Sequence, residues 1–184
     1  MMNTQIINAL KSFEWQEIIN KGNKLEDLND RQWRFIKGLV IELIVEKHSG
    51  TNGLVYIGQD HKDYDWPAFN QTVELKSGLA GSMYGKKGQL HKHYNIKFNN
   101  SLGTNKKDQL DPSEVADILL VVKNDGAFAV DQATVIRCSK KGGDGFEVHL
   151  TKNDIVELTG KIIPDSTISL NIKQQLQNAI SQTI

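Results

Sequence analysis

The chain has 184 residues, of which 39% are hydrophobic; this is enough to bury one sizeable core, and the length favours a single domain over residues 1–184. Its 22 lysines and arginines balance its 22 aspartates and glutamates, which argues against a protein coated with positive charge for general nucleic-acid binding. The single cysteine, Cys138, excludes an intrachain disulfide, and the N-terminus lacks the apolar run of a signal peptide or membrane span, so we expect a cytoplasmic protein.

Two helices are predicted in residues 1–50, ahead of a core at 51–137 and a C-terminal part at 138–184. The first has apolar residues at roughly helical spacing until Lys21-Gly22-Asn23 breaks the pattern; they are Ile6, Ile7, Leu10, Phe13 and Ile18. The second begins at a capping residue, Asn29 or Asp30, and ends at His48-Ser49-Gly50. Its apolar stripe consists of Trp33, Ile36, Val40 and Ile44.

Glu42 lies in the second predicted helix, within an otherwise apolar run at residues 38–45. A buried carboxylate is costly unless a positive group pairs with it. Two interpretations therefore stay open. Glu42 either sits on the exposed side of the helix or belongs to an active site.

The pattern changes to strands after residue 53, with strands predicted at 54–57, around 65–69 and at 71–76 as consecutive antiparallel pairs. The third contains Glu74-Leu75-Lys76. In an extended strand alternate side chains share a face, so Glu74 and Lys76 are expected on one face about 7 Å apart, while Val73 and Leu75 point into a core.

An acidic residue two positions before a lysine occurs twice in the chain, in Asp60-His61-Lys62 and in Glu74-Leu75-Lys76, about as often as chance predicts. Only the second has the context of a strand, because it follows Thr72-Val73, alternates in character and stops at Ser77-Gly78. Carboxylates and a lysine that converge on a strand end can hold a hard divalent cation and orient a water for attack on a phosphate. The alternative is an exposed strand pair, worth less than about 1 kcal/mol.

Residues 75–107 contain no aspartate or glutamate but seven lysines and two histidines. This segment is either an ordinary solvated loop or an arm that contacts phosphates. The side chains that could reach DNA phosphates or base edges are Lys86, Lys87, His91, Lys92, His93 and Asn95.

The C-terminal half is predicted to contain a central strand at residues 116–122, because that run is almost continuously apolar. Asn124-Asp125-Gly126 predicts a two-residue hairpin, with residues 127–137 returning as the partner strand. Cys138 at the end of that strand is interpreted as a buried thiol and not a nucleophile. Further along we predict a loop at 140–145, a strand at 146–150, a brief helix at 151–158 and an amphipathic helix at 165–180 that lies on the sheet or on a partner subunit.

The order of these elements resembles the core of the PD-(D/E)xK nuclease superfamily: a helix with an internal glutamate, a strand, an acid, a strand ending in Glu-x-Lys, and a buried strand. Within that superfamily, Glu74-Leu75-Lys76-Ser77 followed by a basic segment looks like a restriction endonuclease. The resemblance covers roughly residues 31–137. It implies an α/β (α+β) fold with a central mixed β-sheet of about five strands, flanked by helices.

Applied residue by residue, the resemblance implies a Mg²⁺ site formed by Asp65, Glu74 and the backbone carbonyl of Leu75. The family usually has a proline before the first aspartate, whereas Asp63 and Asp65 here follow a lysine and a tyrosine. Asp63 is therefore the alternative to Asp65.

The remaining implied roles belong to Lys76 and Glu42. Lys76 would orient the attacking water and help to deprotonate it, and Glu42 would approach from the helix as an outer or second-metal ligand. The implied activity is that of a Mg²⁺-dependent type II restriction endonuclease, which cuts double-stranded DNA at a short sequence as a homodimer, because a palindromic site matches twofold symmetry. The alternatives are a structure-selective nuclease, such as a junction resolvase or repair endonuclease, and a non-catalytic DNA-binding module with the same fold.

Overall fold

The computed structural model of the chain describes residues 2–23, 34–49, 66–68, 71–78, 81–99, 110–142, 145–163, 178, 181 and 182. The N-terminal part of these residues is helical, with α1 at Thr4–Lys11, α2 at Trp15–Asn23 and α3 at Arg34–Ser49. None of the helices in the described part of the chain is long and apolar enough to span a membrane.

The first predicted helix is two helices, α1 and α2. The Ser12 hydroxyl donates a hydrogen bond to the Ala9 carbonyl at 2.8 Å, and the Trp15 indole N–H donates to the Leu10 carbonyl at 2.7 Å. Because these side chains satisfy carbonyls at the C-terminal end of α1, the helix can end there. Residues 21–23, predicted to break the helix, instead form the end of α2. The second predicted helix is confirmed as α3, which ends at Ser49, within the predicted end at His48-Ser49-Gly50. Its predicted N-terminal capping residues, Asn29 and Asp30, lie outside the described residues.

The strands of the described residues are β1 (Trp66–Ala68), β2 (Gln71–Gly78), β3 (His93–Asn99), β4 (Ile118–Lys123), β5 (Gly126–Asp131), β6 (Ser139–Gly142), β7 (Gly145–Thr151) and β8 (Val156–Glu157), with α4 at Gln132–Cys138. A central five-stranded sheet has the order β1-β2-β4-β5-β8, and a second sheet has the order β3-β7-β6. β2 and β4 are parallel, whereas the other neighbours are antiparallel. The predicted mixed sheet of about five strands is confirmed, and so is the α/β (α+β) fold class.

The central sheet buries residues on both of its faces. Val73 and Leu75 of β2 belong to a core cluster with residues of α1, α2 and α3. Leu119 and Val121 of β4 belong to a second cluster, formed with the second sheet and α4. Successive residues of a strand point to opposite faces, so β4, with a layer on each side, is buried from Ile118 to Val122. The predicted central strand is therefore confirmed.

A two-residue loop, Asn124-Asp125, joins β4 to β5 as the sequence predicts. The predicted continuation of the returning strand to residue 137 is wrong, because β5 ends at Asp131 and residues 132–138 form α4. Asp131 pairs with the first residue of β4, and its carboxylate caps α4 by accepting from the Thr134 N–H at 2.8 Å. Cys138 therefore ends a helix and not a strand, and it is only partly buried, so the predicted buried thiol is wrong. Burial raises the pKa of its thiol, which does not favour a nucleophile.

Two other C-terminal predictions are wrong. Residues 140–142, within the loop predicted at 140–145, belong to β6 and pair with β7. The helix predicted at 151–158 is instead a turn followed by β8, because the Asp154 carboxylate accepts from the Thr151 N–H at 2.9 Å and β8 pairs with β5. Pairing with distant strands overrides the local pattern in both places. The strand predicted at 146–150 is confirmed as β7, while the strand predicted at 54–57 and most of the helix at 165–180 lie outside the described residues.

Candidate active site

Glu74 and Lys76 lie on β2, on the face of the central sheet that carries the second sheet. Their strand neighbours Val73 and Leu75 are buried against the helices. Alternation along the strand therefore directs Glu74 and Lys76 to the other side. Their register partners on β4 belong to the second core cluster, which lies on that side. The prediction that Glu74 and Lys76 share one face is confirmed.

The Lys76 ammonium forms an ion pair with the Glu74 carboxylate. The Glu74 side chain is 18% exposed and the Lys76 side chain 38% exposed, so the carboxylate is the more enclosed member. An exposed ion pair contributes little to stability. Two carboxylate oxygens and an ammonium that solvent can reach are, by contrast, the groups needed to hold a hard cation and to orient a water.

Phe98 of β3 supplies an aromatic ring to the same place. Its ring centroid lies 5.4 Å from the Lys76 Nζ, which is within the range of a cation–π interaction. Phe98 is partly buried and packs against the second core cluster. The second sheet therefore contributes directly to the surroundings of Lys76, which no pattern in the sequence indicated.

The N-terminal ends of β2 and β4 are joined by Thr72 and Asp117. The Asp117 carboxylate accepts from the Thr72 N–H at 2.8 Å and from its hydroxyl at 3.1 Å, while the Asp117 N–H donates to that hydroxyl at 3.0 Å. These bonds hold the parallel strands in the register that places Glu74 opposite Leu119. Asp117 is an acid bonded to β2 that the sequence analysis did not single out. Its only sequence signal is its place directly before the apolar strand.

Glu42 lies on α3 and is partly exposed. The helix buries Ile41 and Val45 in the same cluster as Val73 and Leu75. α3 therefore packs on the face of β2 opposite to Glu74. The structure brings Glu74 and Lys76 together and places Glu42 on the helical side of the strand.

Asp63 and Asp65, the two candidates for the first metal ligand, lie outside the described residues. Asp65 directly precedes Trp66, and Trp66 pairs with Val73, the residue before Glu74. Within the described ranges, no three His, Cys, Asp or Glu side chains are grouped so that they could hold a metal ion. The predicted Mg²⁺ site therefore stays a prediction.

Residues 85–93, which we call the basic turn, project from the hairpin end of the central sheet. Tyr84 and Leu90 form a β-bridge across its base, and the Gly85 N–H donates to the Gln89 carbonyl at 2.8 Å. Gly88 has φ +78°, a left-handed conformation that favours glycine. The Tyr84 hydroxyl bonds to Glu157, and burial together with this acid raises the pKa of Tyr84. The base of the turn is thus fixed by several interactions.

The six side chains predicted to contact DNA are all exposed: Lys86, Lys87, His91, Lys92, His93 and Asn95. The first five belong to the basic turn, and His93 and Asn95 lie on the outward face of β3. Lys97 shares that face but forms an ion pair of 3.3 Å with Glu147 of β7. The positive charge is therefore more concentrated at the turn than along the strand.

Comparison with known proteins identifies the fold. The structure is similar to a solved structure described as a restriction endonuclease in complex with substrate DNA, with a TM-score of 0.53 over 96% of this chain and 94% of that one. The chain has a restriction-endonuclease-like fold. This confirms the architecture that the sequence resemblance implied, although the two sequences are only 11% identical. No protein-family model and no curated protein sequence matches the chain.

Proposed function

We propose that the protein is a Mg²⁺-dependent endonuclease that hydrolyses phosphodiester bonds of double-stranded DNA at a short specific sequence. The observation that carries the proposal is the Glu74–Lys76 pair. It lies on a strand of a restriction-endonuclease-like fold, on one face, with both side chains reachable by solvent. That is where the sequence pattern of the PD-(D/E)xK nucleases requires an acid and a lysine.

The donor set suits a hard cation. The Glu74 carboxylate, the Leu75 carbonyl and the carboxylate of Asp65, or of Asp63 in its place, would hold Mg²⁺ through oxygen ligands. The ion, when bound, adds positive charge at the phosphate and acidifies a water ligand. Asp65 is preferred as the second carboxylate ligand because it immediately precedes Trp66, the first residue of β1. Trp66 pairs with Val73, which is the residue before Glu74.

Lys76 is proposed to orient the attacking water and, through the positive charge of its ammonium, to make that water easier to deprotonate. Its ammonium sits beside Glu74, so a water bound near that carboxylate would lie within its reach. The four-carbon stem also lets the ammonium approach the scissile phosphate as a second positive group. Glu42 of α3 is proposed as an outer or second-metal ligand.

The basic turn is proposed to contact the DNA backbone away from the cut. It meets β3 at His93, whereas Phe98 near the other end of β3 lies at Lys76. From His93 to Phe98 there are five residue steps of about 3.4 Å, so the turn lies roughly 17 Å from the site. Along the DNA axis this length corresponds to about five base pairs. Lysines there would bind phosphates regardless of sequence, and a homodimer would place a second turn symmetrically on a palindromic site.

The test is incubation of the full chain with supercoiled plasmid and Mg²⁺, followed by sequencing of the ends. Discrete fragments with ends at one palindromic sequence support the proposal. Cleavage confined to branched or damaged DNA would replace it with a structure-selective nuclease, and DNA binding with no cleavage would replace it with a non-catalytic module. Co-elution of the cleavage activity with the protein on gel filtration is the control for a contaminating nuclease, and a reaction containing chelator tests the dependence on Mg²⁺.

A further inference from the structure

We infer that Phe98 positions Lys76, holding its ammonium beside Glu74 so that the lysine side chain is ordered before DNA binds. The effect on kcat that follows from this inference rests on the proposed function. The interaction itself can be tested without activity. Phe98 acts through Lys76 and is a positioning residue.

The Lys76 ammonium is close to two groups that attract a positive charge. Glu74 forms the ion pair, and the Phe98 ring lies 5.4 Å from the Nζ. A lysine side chain has a flexible stem whose rotamer freedom must be given up to hold the ammonium in one place. The negative face of an aromatic ring favours a cation placed over it, so the ring limits the positions that the Lys76 ammonium takes on the face of β2 that it shares with Glu74.

Phe98 is itself placed by the second sheet and not by a loop. It pairs with Phe146 of β7, and further along the same strand Tyr94 pairs with Leu150. The Tyr94 ring also packs on Phe128 of β5, with centroids 5.1 Å apart. β3 therefore crosses the central sheet from β5 toward β2. That crossing brings Phe98 over Lys76, although the two residues are far apart in sequence.

The position of Phe98 predicts a specific kinetic effect. Phe98 has no proposed contact with DNA and acts by positioning Lys76. Its removal should therefore lower kcat and leave KM nearly unchanged. The residues on the outward face of β3 and in the basic turn would show the opposite behaviour. Phe98→Tyr and Phe98→Trp keep an aromatic face, so they should keep kcat.

The experiment compares Phe98→Leu, Phe98→Tyr and wild type, with Phe146→Leu as the matched control. Phe146 is the buried register partner of Phe98, so its substitution removes a similar volume from the second sheet. We expect kcat to fall about tenfold in Phe98→Leu and to stay within about twofold of wild type in Phe98→Tyr and Phe146→Leu. If Phe98→Leu fails to fold, as judged by circular dichroism, Phe98→Met takes its place.

A second measurement needs no cleavage: the rate at which Lys76 is reductively methylated in DNA-free protein, followed by peptide mass spectrometry. The amine should react faster in Phe98→Leu than in wild type or Phe146→Leu, because one side of it is uncovered. Unchanged kcat with unchanged labelling would overturn the inference, as would an equal fall of kcat in Phe98→Leu and Phe146→Leu. If the wild type does not cleave DNA, the proposed function fails, and the labelling rates alone then decide whether Phe98 orders Lys76.

Discussion

The Asp125 carboxylate accepts a hydrogen bond from the backbone N–H of Met83 at 2.5 Å and thereby ties the β4–β5 hairpin to the start of the basic turn. A second bond comes from the Tyr84 N–H at 3.2 Å. Asp125 is only 6% exposed. The neighbouring Gly126 permits this close approach, since a Cβ there would lie 2.8 Å from the Met83 sulfur. The base of the basic turn is therefore held by buried hydrogen bonds to the central sheet.

Asp125→Ala should lower the free energy of unfolding by about 2 to 3 kcal/mol, because it leaves two buried N–H groups without their charged acceptor. Urea unfolding measures the change. Asn124→Ala is the matched control, since its side-chain carbonyl accepts a single hydrogen bond at an exposed position, from the Ser82 hydroxyl at 3.1 Å. An equal destabilisation in the two variants would show that the buried carboxylate has no special part in holding the turn.

Lys76→Ala should abolish cleavage, with a fall in kcat of about a hundredfold or more, and leave the thermal unfolding midpoint nearly unchanged. The Lys76 side chain is partly exposed and is proposed to assist the reaction, so its loss should have little effect on the core. Lys97→Ala is the control, because Lys97 is 78% exposed and lies on the outward face of the second sheet. Cleavage by Lys76→Ala within a few-fold of wild type would refute its assigned role.

Glu74→Ala and Asp65→Ala should lose both cleavage and divalent-ion binding, because each removes an oxygen ligand of the proposed site. Titration calorimetry with Mg²⁺ measures binding in the absence of DNA. Ca²⁺ is expected to support DNA binding without turnover. If Asp65→Ala keeps activity while Asp63→Ala loses it, Asp63 is the first ligand and the choice of Asp65 is wrong.

Substitution of Lys86, Lys87 and Lys92 by alanine should weaken binding to every DNA sequence alike. The log-log salt dependence of affinity should flatten by about one unit for each phosphate that a lysine no longer neutralises. Cleavage at saturating DNA should survive, since the turn is proposed to lie away from the scissile bond. Binding titrations at several salt concentrations provide the measurement.

The neighbouring polar residues allow a separate test of base recognition. If His91, His93 or Asn95 contacts a base edge, its substitution should reduce discrimination at one position of the site by roughly 1 to 3 kcal/mol and leave the salt slope unchanged. Affinity, salt slope and sequence preference that all resist both sets of substitutions would show that residues 85–95 form only a solvated surface.

Features that depend on neighbours along the chain could be predicted from the sequence alone. Period-two alternation places Glu74 and Lys76 on one face of β2, whatever the rest of the fold does. The apolar run before Lys123 predicts a strand covered on both sides, and Asn124-Asp125-Gly126 predicts the hairpin that follows it. Each of these follows from local geometry and from the cost of exposing apolar surface.

Which distant residues meet depends instead on the tertiary structure. Residues 132–138 have the β-branched side chains typical of a strand, yet they form α4. Asp131 pairs with the first residue of β4, so strand pairing with β4 ends there, and the Asp131 side chain caps a helix instead. Phe98 reaches Lys76 only because β3 pairs with β7 and crosses the central sheet. Contacts of this kind depend on strand pairing and on the packing of the two sheets and the helices, and a local pattern of residues does not predict them.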